Sequence, residues 1–194
     1  TTTALTYDIM KRHAKKALLV GNIEIPYTGY ALESDKDSVT VAEISSFQLE
    51  TMVTFKPHVT AILNITPDHL DRHKTLENYI AIKESITKNQ DGNDFCVLNY
   101  NDPVLREFGK TPRCKVIFFS SSEELESGVF LRGDTMIIKE NGVETPVCTT
   151  KDTSLVGMHN YENIMAAIAM THAMGVPLDT IRQGIKEFTA VGDR

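Results

Sequence analysis

Three things are scarce in this 194-residue sequence: cysteine, long apolar runs and positive charge. Cys96, Cys114 and Cys148 are odd in number, widely spaced, and sit in or beside strand-like runs. That pattern excludes a disulfide framework and reads as reduced, packed thiols in a cytoplasmic protein. No apolar run approaches the ~18 residues a membrane helix requires, and no signal-peptide pattern opens the chain, so no membrane partner is expected. Lys and Arg number 20 against 26 Asp and Glu, a net charge of -6. A general nucleic-acid binder is thereby disfavoured, because phosphate backbones attract basic surfaces. Nucleotides remain open, since local backbone amides, metal ions and a few side chains hold them. What is present is ordinary for a globular chain: 41% hydrophobic and 24% charged residues, in a length that fits one domain with a substantial core. The chain opens at Thr1 inside a threonine run, without an initiator methionine, and reads as a piece of a longer protein. A monomer is expected.

Hydrophobic period then gives the organisation. Residues Thr3 to Lys15 read as a helix, followed by the short buried-strand run Ala17-Leu18-Leu19-Val20. Ser38 to Ile44 is β-branched and alternating, and His58 to Ile65 is nearly all apolar; both read as buried strands. Leu76 to Lys88 is helical by period. Phe95 to Leu98 and Lys115 to Phe119 are further strand runs, with a short helix from Val104 to Phe108 between them. Strands alternating with helices predict an α/β fold, a mostly parallel doubly wound sheet covered on both faces. From Gly128 to Cys148 short strands surround Arg132-Gly133-Asp134 and Glu140-Asn141-Gly142, which have hairpin-turn chemistry. This stretch predicts a small antiparallel appendage. Two helices close the chain, His159 to Met174, ended by Gly175, and Leu178 to Phe188.

In doubly wound sheets ligands bind beyond the carboxyl ends of the strands. Three polar clusters fall there: Gly21-Asn22, Glu43 to Gln48, and Asn64 to His73. One strand-end carboxylate serves equally as a cap or a salt-bridge partner, but three clusters on one sheet edge suggest a site. Lys83 is the strongest single residue. On a helical wheel Leu76, Tyr79, Ile80, Ile82 and Ile86 share a face, with Lys83 in its middle. Glu77, Asn78, Glu84, Ser85, Lys88 and Asn89 take the other. A lysine whose stem packs while its amine reaches water is the plain alternative, though such residues favour the margin of a face. An inward lysine requires a partner or a modification, because a bare buried ammonium is costly. Asn160 and Asn163 lie one turn apart at the start of a helix. Their carboxamides can pair with both edges of adenine, or simply cap the helix. His172 falls on that helix's apolar stripe with Tyr161, Ile164, Met165 and Ile168 and reads as a core histidine. His13, His58 and His73 have no spacing that singles them out. A zinc site from Asp68, His69, Asp71 and His73 is disfavoured, because such sites draw ligands from spaced elements and often include cysteine.

These motifs carry a resemblance. Glu43-Ile44-Ser45-Ser46-Phe47-Gln48-Leu49-Glu50, the segment from Asn64 to His73, and the segment from Leu155 to Asn163 resemble the Mur ligases, in the same order and at similar spacing. Thr1-Thr2-Thr3-Ala4-Leu5 resembles the tail of that family's Gly-Thr-Asn-Gly-Lys-Thr-Thr phosphate loop. The form Ser45-Ser46-Phe47-Gln48 is similar to the D-glutamate-adding branch, where the diaminopimelate- or lysine-adding branch usually has histidine at the place of Phe47. The resemblance implies a P-loop-like central ATP-binding domain over residues 1–194, begun inside the phosphate loop, with the flanking UDP-binding and amino-acid-binding domains absent. It implies ATP, UDP-N-acetylmuramoyl-L-alanine and D-glutamate as substrates of an amide ligase working through an acyl phosphate, and a fragment inactive alone. By the same resemblance Thr1, Thr2, Asn160, Asn163 and Arg194 would bind nucleotide. Asn22, Ser45, Ser46 and His69 would face the muramoyl substrate. Glu43, His69 and a carbamylated Lys83 would hold Mg2+. Other members of the superfamily, such as a folylpolyglutamate synthetase or another Mur branch, and a non-catalytic nucleotide-binding domain, are the competing expectations.

Overall fold

In a computed structural model of the chain, residues 1–23, 25–66 and 70–189 are described, with Leu70 described by its backbone alone. Helix α1 (Thr2–His13) starts one residue earlier than its apolar period suggests. It buries Leu5 and Ile9, one turn apart, against the core. Strand β1 (Lys16–Gly21) follows and pairs in parallel with β2 (Ser38–Glu43), Lys16 opposite Ser38 through Gly21 opposite Glu43. A single 3-10 turn, Tyr27–Tyr30, interrupts their connection.

Helix α2 (Ser46–Thr51) comes next, then β3 (Val59–Ile62), α3 (Leu70–His73) and α4 (Leu76–Glu84), which tightens into a 3-10 turn at Ser85–Thr87. Helix α4 is therefore shorter than the periodic segment. β3 is also shorter than expected, because the chain leaves it at Leu63 and the Ile65 amide donates to Asp102 Oδ2 (2.7 Å). Strand β4 (Phe95–Asn99) leads to α5 (Pro103–Phe108), whose N-cap Asp102 accepts from the amides of Val104 and Leu105, with Pro103 at the first helical position. Then come β5 (Lys115–Ser120), β6 (Gly128–Arg132), β7 (Thr135–Glu140), β8 (Val143–Thr149), α6 (Met158–Ala173) and α7 (Leu178–Glu187).

The strands form two sheets, β1-β2 and β3-β4-β5-β6-β7-β8. Pairing is parallel from β3 through β6 and antiparallel from β6 through β8. The 128–148 stretch is thus the continuation of the main sheet rather than an appendage, because β6 bonds β5 on one side and β7 on the other. Both expected turns are present. Arg132 pairs with Thr135 across Gly133-Asp134, and Glu140 with Val143 across Asn141-Gly142. Asn141 (φ 52°) and Gly142 (φ 79°) take the left-handed backbone that a two-residue hairpin requires.

Alternation along the strands feeds three buried clusters, the smallest being Leu125, Phe130 and Ile137. Val97, Phe119, Val129, Met136 and Ile138 meet α1, α6 and α7 through Leu5, Ile9, Ile164, Ile168 and Ile181. Cys96 and Leu98 face the opposite side, with Leu105, Phe108 and Cys114. All three cysteines are free and buried. Burial pushes the Cys148 thiol up to about 12, consistent with the packed thiols expected from the sequence. No helix among the described residues is long and apolar enough to cross a membrane.

Candidate active site

Three segments bring polar groups to the amino end of α1, beyond the carboxyl ends of β1 and β2. The first is Gly21-Asn22. Gly21 has φ 100°, and a Cβ there would lie 2.1 Å from the Glu43 carbonyl oxygen, so only glycine lets the two strand ends run this close. The Asn22 amide donates to that same carbonyl (2.8 Å), and its side chain reaches Glu43 Oε1 at 3.5 Å. The second segment is Glu43 itself, whose Oε2 accepts from the Thr3 hydroxyl at 3.2 Å. The third is the start of α6. Thr2 Oγ1 donates to Asn163 Oδ1 (2.8 Å), and Asn163 Nδ2 lies 3.5 Å from Asn160 Oδ1.

Thr2, Thr3, Asn22, Glu43, Asn160 and Asn163 therefore form one continuous polar rim, with Thr1 exposed beside it. The amino end of a helix carries free N–H groups and a positive dipole end, which suit an anion. Glu43 adds a carboxylate, which accepts from the Thr3 hydroxyl and the Asn22 carboxamide and is the oxygen ligand type that hard divalent cations take. Asn160 also donates to the Val156 carbonyl (2.9 Å), so part of its capacity closes the helix start, as the capping alternative anticipates.

Beneath the rim runs a cavity of 710 Å³. One wall is the edge of β2, with Val39 and Val41; the other is the edge of β3, with Val59 and Ala61; Met170 of α6 and its C-cap Met174 also line it. Among the described residues β2 pairs only with β1, and β3 only with β4, so each strand turns an unpaired edge to this space. The half-burial of every β2 residue, where a buried strand was expected, follows from that.

Ser45 and Ser46 both have partners within the chain. Ser45 is the N-cap of α2. Its hydroxyl accepts from the Gln48 amide, and Gln48 Oε1 accepts from the Ser45 amide at 2.8 Å, a reciprocal capping box. Ser46 is buried and its Oγ lies 3.0 Å from His73 Nε2.

His73 stands inside a ladder of rings and cations. The Arg72 guanidinium lies 4.6 Å from the Phe47 ring centre, and Phe47 stacks on His73 at 5.5 Å and 24°. His73 meets Tyr79 at 5.4 Å, and Lys83 Nζ sits 4.9 Å above the Tyr79 ring. At the ladder's end Lys83, a half-buried residue, donates from its exposed amine to the Asn64 carbonyl at 3.4 Å. The inward position read from the helical wheel is thus realised as a cation over an aromatic face rather than as an enclosed ammonium. The wheel misplaces Glu84, which is half-buried; desolvation raises its carboxyl above the ordinary value.

His69 and Arg194, as well as Asp68 of the disfavoured zinc set, lie outside the described residues. Among the described residues no group of three or more His, Cys, Asp and Glu side chains could hold a metal. His172 is corrected from a core histidine: its ring is partly exposed and lies 3.3 Å from Glu140 Oε2, because it falls in the last turn of α6, at the edge of the β7 hairpin.

Two residues at the site escaped sequence reasoning. His73 has no informative spacing, since its partners come from other elements. Glu162, between the two asparagines, collects Asn101 Nδ2 (3.0 Å), Ser121 Oγ (2.6 Å) and Asn99 Nδ2 (3.4 Å) beyond the ends of β4 and β5. Its available signal was its place in the same motif as Asn160 and Asn163.

Comparison with known proteins agrees with this geometry. Residues 1–171 match the family described as Mur ligase middle domain. A UDP-N-acetylmuramoylalanine–D-glutamate ligase of Lachnoclostridium phytofermentans is 49% identical over 193 residues, covering 100% of this chain and 42% of that protein. The enzyme of the same name from Lachnospira eligens is 46% identical, covering 100% of this chain and 43% of its own length. The chain thus spans less than half the length of these relatives. Among solved structures, MurF from Acinetobacter baumannii superposes with a TM-score of 0.73 at 20% identity, over 97% of this chain and 43% of that one. MurF ligase from Thermotoga maritima in complex with ADP gives 0.67 at 17%, over 98% and 46%; at such identities the likeness speaks for the fold. With its motifs gathered around the start of α1, a matching family pattern over most of its length and close relatives along all of it, the chain belongs to the Mur ligase family, whose middle domain it carries.

Proposed function

We propose that the full-length protein is the ATP-dependent ligase that adds D-glutamate to UDP-N-acetylmuramoyl-L-alanine, a step of peptidoglycan precursor synthesis. The observation that carries this reading is the joining of Thr2, Thr3, Asn22, Glu43 and Asn163 into one rim at the amino end of α1. The names of the relatives over the whole chain support the choice of amino acid. In the reaction the terminal phosphoryl group of ATP passes to the L-alanyl carboxylate, giving an acyl phosphate and ADP. The amine of D-glutamate then attacks the acyl carbon, loses a proton, and phosphate departs. Little covalent work falls to the protein; its task is to align the partners and to stabilise charge on phosphoryl oxygens.

Within that reading, Thr1 and Thr2 would hold the nucleotide together with Asn160 and Asn163, to which Thr2 is joined. The Glu43 carboxylate fits Mg2+, which when bound would offset phosphate charge. His69 and a carbamylated Lys83 complete the proposed metal ligands; capture of carbon dioxide requires a neutral amine, and the product is an anionic oxygen ligand. Arg194 would reach the ribose and phosphates. Asn22, Ser45, Ser46 and His69 would line the muramoyl side. The remaining glycines and the lysine of the phosphate loop would precede Thr1 in the full-length protein. The open space between β2 and β3 has room for the strand that such a loop follows.

The test is phosphate release by the full-length protein supplied with ATP, Mg2+ and UDP-N-acetylmuramoyl-L-alanine, with amino acids offered one at a time. D-glutamate should be used in strong preference to L-lysine, diaminopimelate and glycine. The 194-residue chain alone should release none. Preference for another amino acid, or steady turnover by the chain alone, would refute the reading.

A further inference from the structure

We propose that His73 is a positioning residue that fixes the Ser46 hydroxyl, so that Ser46 meets the substrate as a hydrogen-bond acceptor. The role given to Ser46 rests on the ligase reading above; the state of His73 does not. Ser46 and Glu50 lie one turn apart on α2 and so present the same face. His73, the last residue of α3, enters between them with a fully buried side chain. Its Nε2 is 3.0 Å from Ser46 Oγ, and its Nδ1 is 3.1 Å from Glu50 Oε1. That second contact is off-axis, too poorly aligned for a full hydrogen bond, and Nδ1 has no other partner among the described residues.

The ring cannot turn away. Phe47 stacks on it and Tyr79 packs against it at a tilt, and the Asn78 side chain donates to its backbone carbonyl at 3.2 Å. A carboxylate only accepts, so the nitrogen facing Glu50 carries the hydrogen. The charge of Glu50 is already met by Arg72 Nη2 at 2.7 Å, and this hydrogen bond holds the Glu50 carboxyl below its ordinary value. A neutral imidazole carries one hydrogen, and with that hydrogen on Nδ1 the other ring nitrogen can only accept. Nε2 is left as the acceptor, and the Ser46 proton is committed to it. What Ser46 retains for a ligand is its lone pairs. They complement an N–H donor, such as the amide nitrogens of a peptidyl sugar substrate, and not a carbonyl or carboxylate oxygen.

The experiment uses the full-length enzyme with His73→Phe, His73→Gln, Ser46→Ala and the Ser46→Ala/His73→Phe double variant. Phe keeps the stack and removes the acceptor. Gln returns a carbonyl oxygen near the place of Nε2. Loss of one well-made hydrogen bond corresponds to roughly tenfold in an equilibrium. His73→Phe should therefore raise KM for the UDP-sugar substrate about tenfold, while KM for ATP stays within about twofold. Gln should recover most of the loss, and the double variant should be no worse than Ser46→Ala alone. Unchanged KM in His73→Phe, or effects that multiply in the double variant, would overturn the proposal.

A second arm is independent of turnover. In full-length protein labelled with 15N-histidine, the His73 signals, assigned by their loss in His73→Phe, should show a protonated Nδ1 and a bare Nε2. A proton on Nε2 overturns the proposal even if the enzyme proves to be a D-glutamate ligase. Failure of D-glutamate to support turnover in the wild type, with the expected nitrogen pattern intact, counts against the ligase reading alone.

Discussion

Lys83 ends a chain of five side chains, from Arg72 through Phe47, His73 and Tyr79, and its amine rests on the carbonyl of Asn64, the first residue of the segment that runs to His73. Because the stem lies over a ring, replacing Lys83 with Ala removes the amine without opening the main core. In the full-length enzyme that variant should lose at least ~100-fold in turnover, the scale of removing one group that stabilises developing charge, while its melting temperature stays within a few degrees. Added formate or acetate should restore part of the rate by standing in for a carbamate. Wild-type turnover in Lys83→Ala would end the assignment. The neighbouring serines show where single-residue reading stops. Ser45 and Gln48 have the spacing of a capping box, though in the sequence they read as part of a polar cluster and of a family resemblance. His73 was not legible, because Ser46, Glu50 and Tyr79 meet it only after α2, α3 and α4 have docked.

At the scale of elements, period and punctuation told most. The hairpin at Asn141-Gly142 and the helix stop at Gly175 (φ 79°) stand where local chemistry placed them, while the cap at Asp102-Pro103 went unread. Helices α2 and α3 escaped notice because six and four residues are too few for a 3.6-residue period to declare itself. The attachment of β6 to β5 was hidden for another reason: a hairpin's sequence reports its own turn and says nothing of the strand beside it.

Packing between helices supplies a further test. Gly184 of α7 lies against α1, where an added Cβ would stand 2.6 Å from the Cγ1 of fully buried Ile9. Alanine would gain about 1 kcal/mol in helix propensity, against about 1–3 kcal/mol for overpacking a filled core. Overpacking should win, and Gly184→Ala should lower the melting temperature by a few degrees. Pairing it with Ile9→Ala should give a double variant less damaged than the sum of the two singles. A Gly184→Ala protein more stable than wild type would show that α1 and α7 yield at this contact.

For the whole molecule, the space between β2 and β3 sets how the chain comes apart. No hydrogen-bonded ladder joins the two-stranded sheet to the six-stranded one among the described residues, and the contact between them runs through side chains and α1. Cooperativity in a sheet is carried by its ladders, and segments without a shared ladder open as separate units. Native-state hydrogen exchange should therefore divide this chain into two blocks. Amides of Ala17–Val20 and Val39–Ala42 should exchange through a partial opening of low free energy, while those of Val97, Phe119 and Ile137 should exchange only on global unfolding. Binding of a strand between the edges would fuse the blocks and slow the first to the rate of the second. Equal protection in both blocks of the chain alone would mean that α1 couples them as firmly as a ladder would. If the blocks do separate, the half of the rim that carries Asn22 and Glu43 sits on the softer one, so its rigidity is governed by whatever bridges that seam.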